Sequence, residues 1–260
     1  MTSRRLKFSL ALSGLLALCA WAAPANAQMS AVKEKPPMYW YVANWQIPRA
    51  QWSAVDKSNA DDTKILEKAV ADGLITEYGF DESLVHSSDG ATHDQWWGGT
   101  SVASVFNMLD QFYKAGTPTS PVFESATKHW DEVWVSRYYD SHPGSYKDAY
   151  TFVATYRLKP TAPDDALDNL SKNLVGPLLD KLLADGSILE WEIDTQEVHT
   201  DAPGEFLIIY VGQKPDAQDK INAAIGELGK SDPLAGPAFD SVVDSSAHRD
   251  EVFRSTATFK

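Results

Sequence analysis

Cysteine is almost missing from this chain. Cys19 is the single one in 260 residues, and it lies in an apolar stretch near the start. The rest of the chain can therefore form no disulfide, no thiolate nucleophile and no cysteine-held metal site. Whatever folds must be held by its own hydrophobic core. Positive charge is also scarce, with 23 Lys and Arg against 36 Asp and Glu, a formal net charge of −13. A surface that acidic repels phosphate backbones and anionic lipid, which argues against nucleic-acid binding. After residue 23 no apolar run is long enough to span a bilayer, so no stable membrane insertion is expected. Nucleotide and nucleophile motifs are missing too: there is no P-loop, no G-x-G-x-x-G after a strand and no G-x-S-x-G elbow. No H-E-x-x-H, H-x-H or other tight ligand spacing occurs. The sequence therefore points to no cofactor and no metal.

What is present begins with a targeting segment. Arg4, Arg5 and Lys7 precede an apolar run from Phe8 to Ala23, and Ala25-Asn26-Ala27 forms an A-x-A cleavage site. These are the parts of a secretory signal peptide over residues 1–27, and they predict a periplasmic or secreted protein. Three positive charges leave with that segment, which takes the net charge from −13 to −16. Residues 28–37 are polar, end in proline and read as a flexible lead-in.

From there the chain says nearly the same thing twice. Tyr41-Val42-Ala43-Asn44-Trp45-Gln46-Ile47 returns as Phe152-Val153-Ala154-Thr155-Tyr156-Arg157-Leu158. Ala71-Asp72-Gly73 returns as Ala184-Asp185-Gly186, and His129-Trp130-Asp131-Glu132-Val133-Trp134 as His248-Arg249-Asp250-Glu251-Val252-Phe253. Each half reads as strand, helix, strand, strand, helix, strand. In the first half the strands are expected at 39–46, 74–86, 95–102 and 133–139, with helices at 60–72 and 104–114. In the second half, strands are expected at 205–212 and 252–259 and a helix at 217–228. Residues 139–149 gather Asp, Ser, His, Pro and Gly and read as a linker. The expected units are thus 38–138 and 150–260.

The β-α-β-β-α-β order is the split βαβ, ferredoxin-like motif. One such unit leaves a sheet face open, and two in one chain can lay those faces together. On this order and duplication, over residues 38–260, the chain resembles the dimeric α/β-barrel superfamily, fused into a single-chain pseudo-dimer. That superfamily includes antibiotic-biosynthesis-type monooxygenases and muconolactone-isomerase-like proteins. The resemblance implies an α+β fold in which two repeats pack as one barrel-like body. Two independent ferredoxin-like domains side by side are the alternative.

The duplication also supplies an internal comparison. His86 pairs with His199 and His129 with His248, and retention in both copies favours a structural role for them. Asp131-Glu132 and Asp250-Glu251 are shared as well. Neighbours on a strand point to opposite faces, so such a pair cannot easily act together. Glu77 with Asp81, and Glu190 with Asp194, repeat on one strand face. They are acid/base candidates if that face lines a cleft, and solvated polar residues otherwise.

The unshared features stand out more. Seven of the eight tryptophans after residue 27 lie in the first half. Where the second half runs smoothly as Phe206-Leu207-Ile208-Ile209-Tyr210-Val211, the first has His93-Asp94-Gln95-Trp96-Trp97-Gly98-Gly99. Glycines inside a strand mark a bulge or a close approach of another group. Two tryptophans beside them offer a flat apolar wall with N–H donors. This predicts a pocket for a small apolar or aromatic molecule, with His86 and His93 as the candidate proton-transfer groups. Trp96, Trp97, Tyr78, Trp134 and His129 are the candidate ligand contacts. An enzyme on this plan would be cofactor-independent and monooxygenase- or isomerase-like, while the alternative is a non-catalytic binding or interaction protein.

Overall fold

Strands here carry buried residues on both faces, which requires a layer on each side of the sheet. Along β1 (Met38–Gln46), Tyr41, Ala43 and Trp45 face one way, into a core shared with helices. Trp40, Val42 and Asn44 face the other way, into a cavity. The computed structural model describes residues 30–200 and 202–260, and residues 1–27, read as a signal peptide, lie outside them. The remaining strands are β2 (Glu77–Ser83), β3 (His93–Gly99), β4 (Lys128–Ser141), β5 (Gly144–Arg157), β6 (Glu190–Val198), β7 (Glu205–Gly212) and β8 (Arg249–Phe259). They close into one antiparallel barrel in the order β1-β3-β2-β8-β5-β7-β6-β4. The first four strands stay contiguous as β4-β1-β3-β2 and the last four as β8-β5-β7-β6. The two seams are β2 against β8 and β4 against β6.

Helices cover the outside. Over the first four strands lie α1 (Trp52–Ala71), α2 (Val102–Ala115) and the short α3 (Pro121–Glu124). Leu66, Met108 and Phe112 from these helices pack on Tyr41, Tyr78 and Trp97. Over the last four lie α4 (Ala166–Leu170), a π-helical turn at Ser171–Val175, α5 (Gly176–Ala184), α6 (Ala217–Ser231) and α7 (Ala235–Val242). Here Leu179, Leu182 and Ile221 pack on Trp191, Ile193 and Phe206. Gly73 and Gly186 both take φ of 75° just past a helix end, the left-handed turn that glycine makes without a Cβ clash.

The structure departs from the sequence reading in three places. α1 begins at Trp52, eight residues before the expected start, because Val55 adds a buried position to the apolar face of Leu66 and Ala69. Residues 139–149, read as a linker, mostly continue strands: β4 runs to Ser141 and β5 starts at Gly144. Closing a barrel staggers each strand against its two neighbours. β4 pairs with β1 through residues 128–136 and with β6 through 133–141, so it needs all of that length. The described part of the lead-in is docked rather than loose. Val32 is buried and its N–H donates to the Lys172 carbonyl at 3.0 Å, and Lys35 pairs with Asp140 at 2.9 Å.

Candidate functional site: the inside of the barrel

Alternation along eight closed strands sends every second side chain inward. The inward set is unusual for an interior, because eight of its members are carboxyl groups. Glu77 and Asp81 come from β2, Asp94 from β3 and Glu132 from β4; Glu190, Glu192 and Asp194 come from β6 and Glu251 from β8. They share a cavity of about 100 Å³ with Trp40, Trp96, Trp134, Phe253 and Phe259. A second cavity of about 110 Å³ adjoins it at one end and shares Trp40, Glu77 and Glu190 with it. Met38, Thr76, Tyr139, Asp140, Ser141 and Lys260 complete that outer cavity. Arg249 lines the inner one and stands 3.8 Å from Glu251, with its side chain 61% exposed.

Removing carboxylates from water disfavours their charged form. Burial raises Glu77 to about 7. Asp94 lies directly across from Asp81 in the β2–β3 ladder, and the two side chains share a hydrogen bond. Burial raises Asp81 to about 6, held from going higher by hydrogen bonds from Ser255 and Trp96. Burial, and then the charge of Asp81, raise Asp94 well above the usual carboxylate range. Glu192 and Asp194 form a second hydrogen-bonded pair on β6. Burial raises Asp194 to about 8, and burial with neighbouring carboxylates raises Glu190 and Glu192 well above the usual carboxylate range. Each pair thus offers one group that ionises first and one that holds its proton. Such a separation is what lets two carboxyls divide the roles of base and hydrogen-bonding acid.

The tryptophans are tied to the acids. Trp96 Nε1 donates to Asp81 Oδ2 at 3.0 Å. Trp130 and Trp134 donate to the two oxygens of Glu132 at 3.2 and 3.1 Å. Two glycines make room for these rings. A Cβ on Gly79 would stand 2.4 Å from the Trp96 ring, and one on Gly98 would stand 2.8 Å from Glu77 and 2.9 Å from Trp40. Gly98 is therefore the close approach that a glycine inside a strand suggests. Several inward polar atoms have no partner among the described residues: Asn44 Nδ2, Thr155 Oγ1, Asp81 Oδ1, Asp94 Oδ1, Glu192 Oε2 and Asp194 Oδ1. Among the described residues, no three His, Cys, Asp or Glu side chains are placed to hold a metal ion.

The residues singled out from sequence fall on both sides of the barrel wall. Trp96 and Trp134 line the cavity. Trp97 faces outward, stacked on Tyr41 with ring centroids 4.6 Å apart and donating to the Val105 carbonyl at 2.9 Å. Tyr78 packs in the same helix-side core. His93 lies under α1, edge-on to Trp52, and burial lowers it to about 4. His86 is exposed and lies tilted against the same Trp52, with ring centroids 5.3 Å apart. His129 lies flat on Trp45 and pairs with Asp131 at 3.4 Å; His248 does the same with Tyr156 and Asp250. The structure therefore gathers His86 and His93 around Trp52, and His129 around Trp45, outside the barrel and away from Trp96 and Trp134.

Sequence reasoning passed over Asp94 and Glu192, although each stands at alternate spacing from a residue it had picked. Trp96 follows Asp94 by two, and Glu192 sits between Glu190 and Asp194. The spacing carried the signal, but which face was enclosed depended on the seams.

No protein-family model and no curated protein matches the chain in sequence. In structure it is similar to a proposed monooxygenase from Lactobacillus acidophilus, with TM-score 0.62 and 14% identity over 86% of this chain and 97% of that one. It is equally similar to a proposed monooxygenase from Fusobacterium nucleatum, with TM-score 0.62 and 8% identity over 87% of this chain and 95% of the other. An anthrone oxidase-like protein follows at TM-score 0.54 and 12% identity, over 87% and 94% of the two chains. At these identities the likeness establishes a monooxygenase-like α+β barrel fold.

Proposed function

We propose that this is an exported protein that takes a small molecule with an apolar or aromatic body into its barrel and acts on it by proton transfer. The body is a single-chain pseudo-dimer of two ferredoxin-like repeats, a reading supported by the identical strand order of the two halves. The observation that carries the functional reading is the pairing of acid groups with aromatic walls around one cavity inside the barrel. Asp81, which ionises before Asp94, is the base; Asp94, still protonated, is the donor to the oxygen on which negative charge develops. This is the chemistry a cofactor-independent monooxygenase or isomerase requires at a carbon acid. In the oxygenase case the substrate anion itself supplies the electrons that reduce dioxygen.

Size limits the substrate. The two adjoining cavities, of about 100 and 110 Å³, together exceed the ~150 Å³ that encloses a benzene ring in an engineered protein core, so one ring fits across them. A three-ring anthrone would not be enclosed, so a compact molecule is favoured over the substrate class that one structural neighbour's name suggests. The test is intrinsic fluorescence titrated with single-ring phenols and ketones, alongside deuterium exchange at an acidic C–H of any ligand found. Binding should change the emission of the parent protein and of Trp97→Phe, and should be silent when Trp40, Trp96 and Trp134 are all replaced by Phe. Asp81→Asn should slow exchange by about a hundredfold or more. A signal that persists in the triple variant Trp40→Phe, Trp96→Phe and Trp134→Phe, or exchange indifferent to Asp81, refutes the reading.

A further inference from the structure

The chamber's charge is lopsided in a way that proton transfer does not need. Glu77, Glu190, Glu192 and Asp194 form one cluster, in which Glu77 and Asp194 raise Glu190, and Glu77, Glu190 and Asp194 raise Glu192. Only Glu192 and Asp194 within it share a hydrogen bond. Glu192 Oε2 and Asp194 Oδ1 have no partner among the described residues, although 92% and 99% of these residues' surface is buried. A buried acceptor without a donor costs stability, so such a cluster calls for a donor from outside.

Among the described residues, no Lys or Arg forms a salt bridge with it. Arg249 reaches the inner cavity and is paired there with Glu251. Lys260 lines the outer cavity and donates to the Val70 carbonyl at 3.0 Å. Next to the acids stands a small apolar cluster of Met38, Trp40, Trp134 and Leu207, with Leu207 opposite Asp194 in the β6–β7 ladder. Carboxylates beside tryptophan faces are the two components of ammonium recognition.

We propose that the molecule this barrel takes is cationic, a compact primary amine whose ammonium sits among Glu77, Glu190, Glu192 and Asp194 and whose apolar body lies on Trp40 and Trp134. The inference rests on the chamber reading above and names its substrate class. An ammonium brings three donors and no acceptor, which matches a cluster rich in acceptor oxygens. The outer cavity gives it a path, since Glu77 and Glu190 face both spaces. The net charge of −13 attracts cations to the protein from a distance.

The charge state of the cluster makes the binding depend on pH. A cation favours ionised carboxylates, so it binds by displacing protons and its affinity rises with pH. The window is set by Glu77 at about 7 and Asp194 at about 8. Facing the cluster from the other elements are Asp81, Asp94, Glu132 and Glu251 with Arg249, and at the outer cavity Asp140 and Lys260. All but the two cations share the sign of the cluster and strengthen the same trend.

Calorimetric titration of the whole protein with benzylamine, and with benzyl alcohol as its neutral isostere, decides the matter. Benzylamine should bind at least tenfold more tightly at pH 8 than at pH 6, with protons released to the buffer, and benzyl alcohol should bind weakly and independently of pH. Glu190→Gln with Asp194→Asn removes buried charge, so it should fold, lose at least tenfold in benzylamine affinity and flatten the pH dependence. Equal affinity for the alcohol and the amine, or an amine affinity indifferent to pH, overturns the cationic substrate and leaves the chamber standing. If neither compound binds while circular dichroism shows a folded protein, the chamber reading falls with it.

Discussion

Replacing Glu77 with glutamine should make the protein more stable, and by an amount that depends on pH. Glu77 is buried inside the barrel, and its carboxyl is raised from an ordinary 4.5 to about 7 with burial as the cause. In the native state it keeps its proton to higher pH than in the unfolded chain. The stability it contributes is full below about 4.5 and is lost as pH rises through 7. The difference between those two values corresponds to about 3 kcal/mol at 1.4 kcal/mol per unit. Most of it is missing by pH 8 and only about 1 kcal/mol by pH 5. Glutamine cannot ionise, so Glu77→Gln should gain about 2 to 3 kcal/mol on the parent between pH 5 and pH 8. Urea unfolding of both proteins at the two pH values measures that difference and cancels any constant offset from the amide. In a chain of this length the gain should appear at pH 8 as about 4–12 °C in Tm. An advantage that does not change between pH 5 and pH 8 would show that Glu77 is ionised and solvated in the folded state, and would refute the closed acidic interior.

Gly79→Ala should cost about 1–3 kcal/mol and quench or shift tryptophan emission, because the new Cβ would meet the Trp96 ring at 2.4 Å. Trp97→Ala should cost about 3–5 kcal/mol in denaturant unfolding while leaving ligand binding in the barrel intact, since its ring belongs to the helix-side core. His93 is lowered to about 4 by burial, so the stability it contributes is present above its ordinary 6.5 and lost as pH falls toward 4. His93→Gln should therefore flatten the acid limb of the stability curve, measured by thermal melts between pH 4 and 6.5. Val32→Ala should lower stability by about 1–2 kcal/mol in the same assay, because that side chain packs with Leu179 and Trp191 rather than trailing in solvent.

Much of the architecture was legible because it is local. The alternation of Trp40, Val42 and Asn44 against Tyr41, Ala43 and Trp45 announces a strand with two covered faces. Ala-Asp-Gly after each first helix announces the turn that Gly73 and Gly186 make. What was not legible depends on pairing across long separations. β2 meets β8 through Tyr78 and Thr258, and β4 meets β6 through Ser136 and Asp194. Those contacts decide which face of each strand is enclosed, and no short window of sequence contains them. The histidines misdirected attention for the same reason. His86, His93 and His129 alternate correctly for strands and strand ends, but they sit on the face that the helices cover or that solvent reaches.

The barrel also answers whether its acids are merely what this geometry accepts. β7 supplies the inward face of the second half with Leu207, Ile209 and Val211, a wholly apolar row. β3, the strand that aligns with it, supplies Asp94, Trp96 and Gly98. The corresponding strand of the same barrel is thus built once with an apolar inward row, so packing does not demand an acid at 94. Nor does packing demand glycine at 79 and 98. Those residues lower strand propensity and are needed only because Trp96 and Trp40 stand over them. Three features that each cost stability converge on one cavity: a buried carboxyl pair, a ring tied to it by Trp96 Nε1, and glycines that clear the space. A fold under no further constraint would shed them one substitution at a time, as the inward row of β7 shows it can. If the interior only fills space, then Asp94→Leu with Gly98→Val, the residues of the apolar row, should raise Tm and change nothing else. If the cavity binds and acts on a molecule, that variant should be more stable than the parent at pH 8 and should lose the ligand.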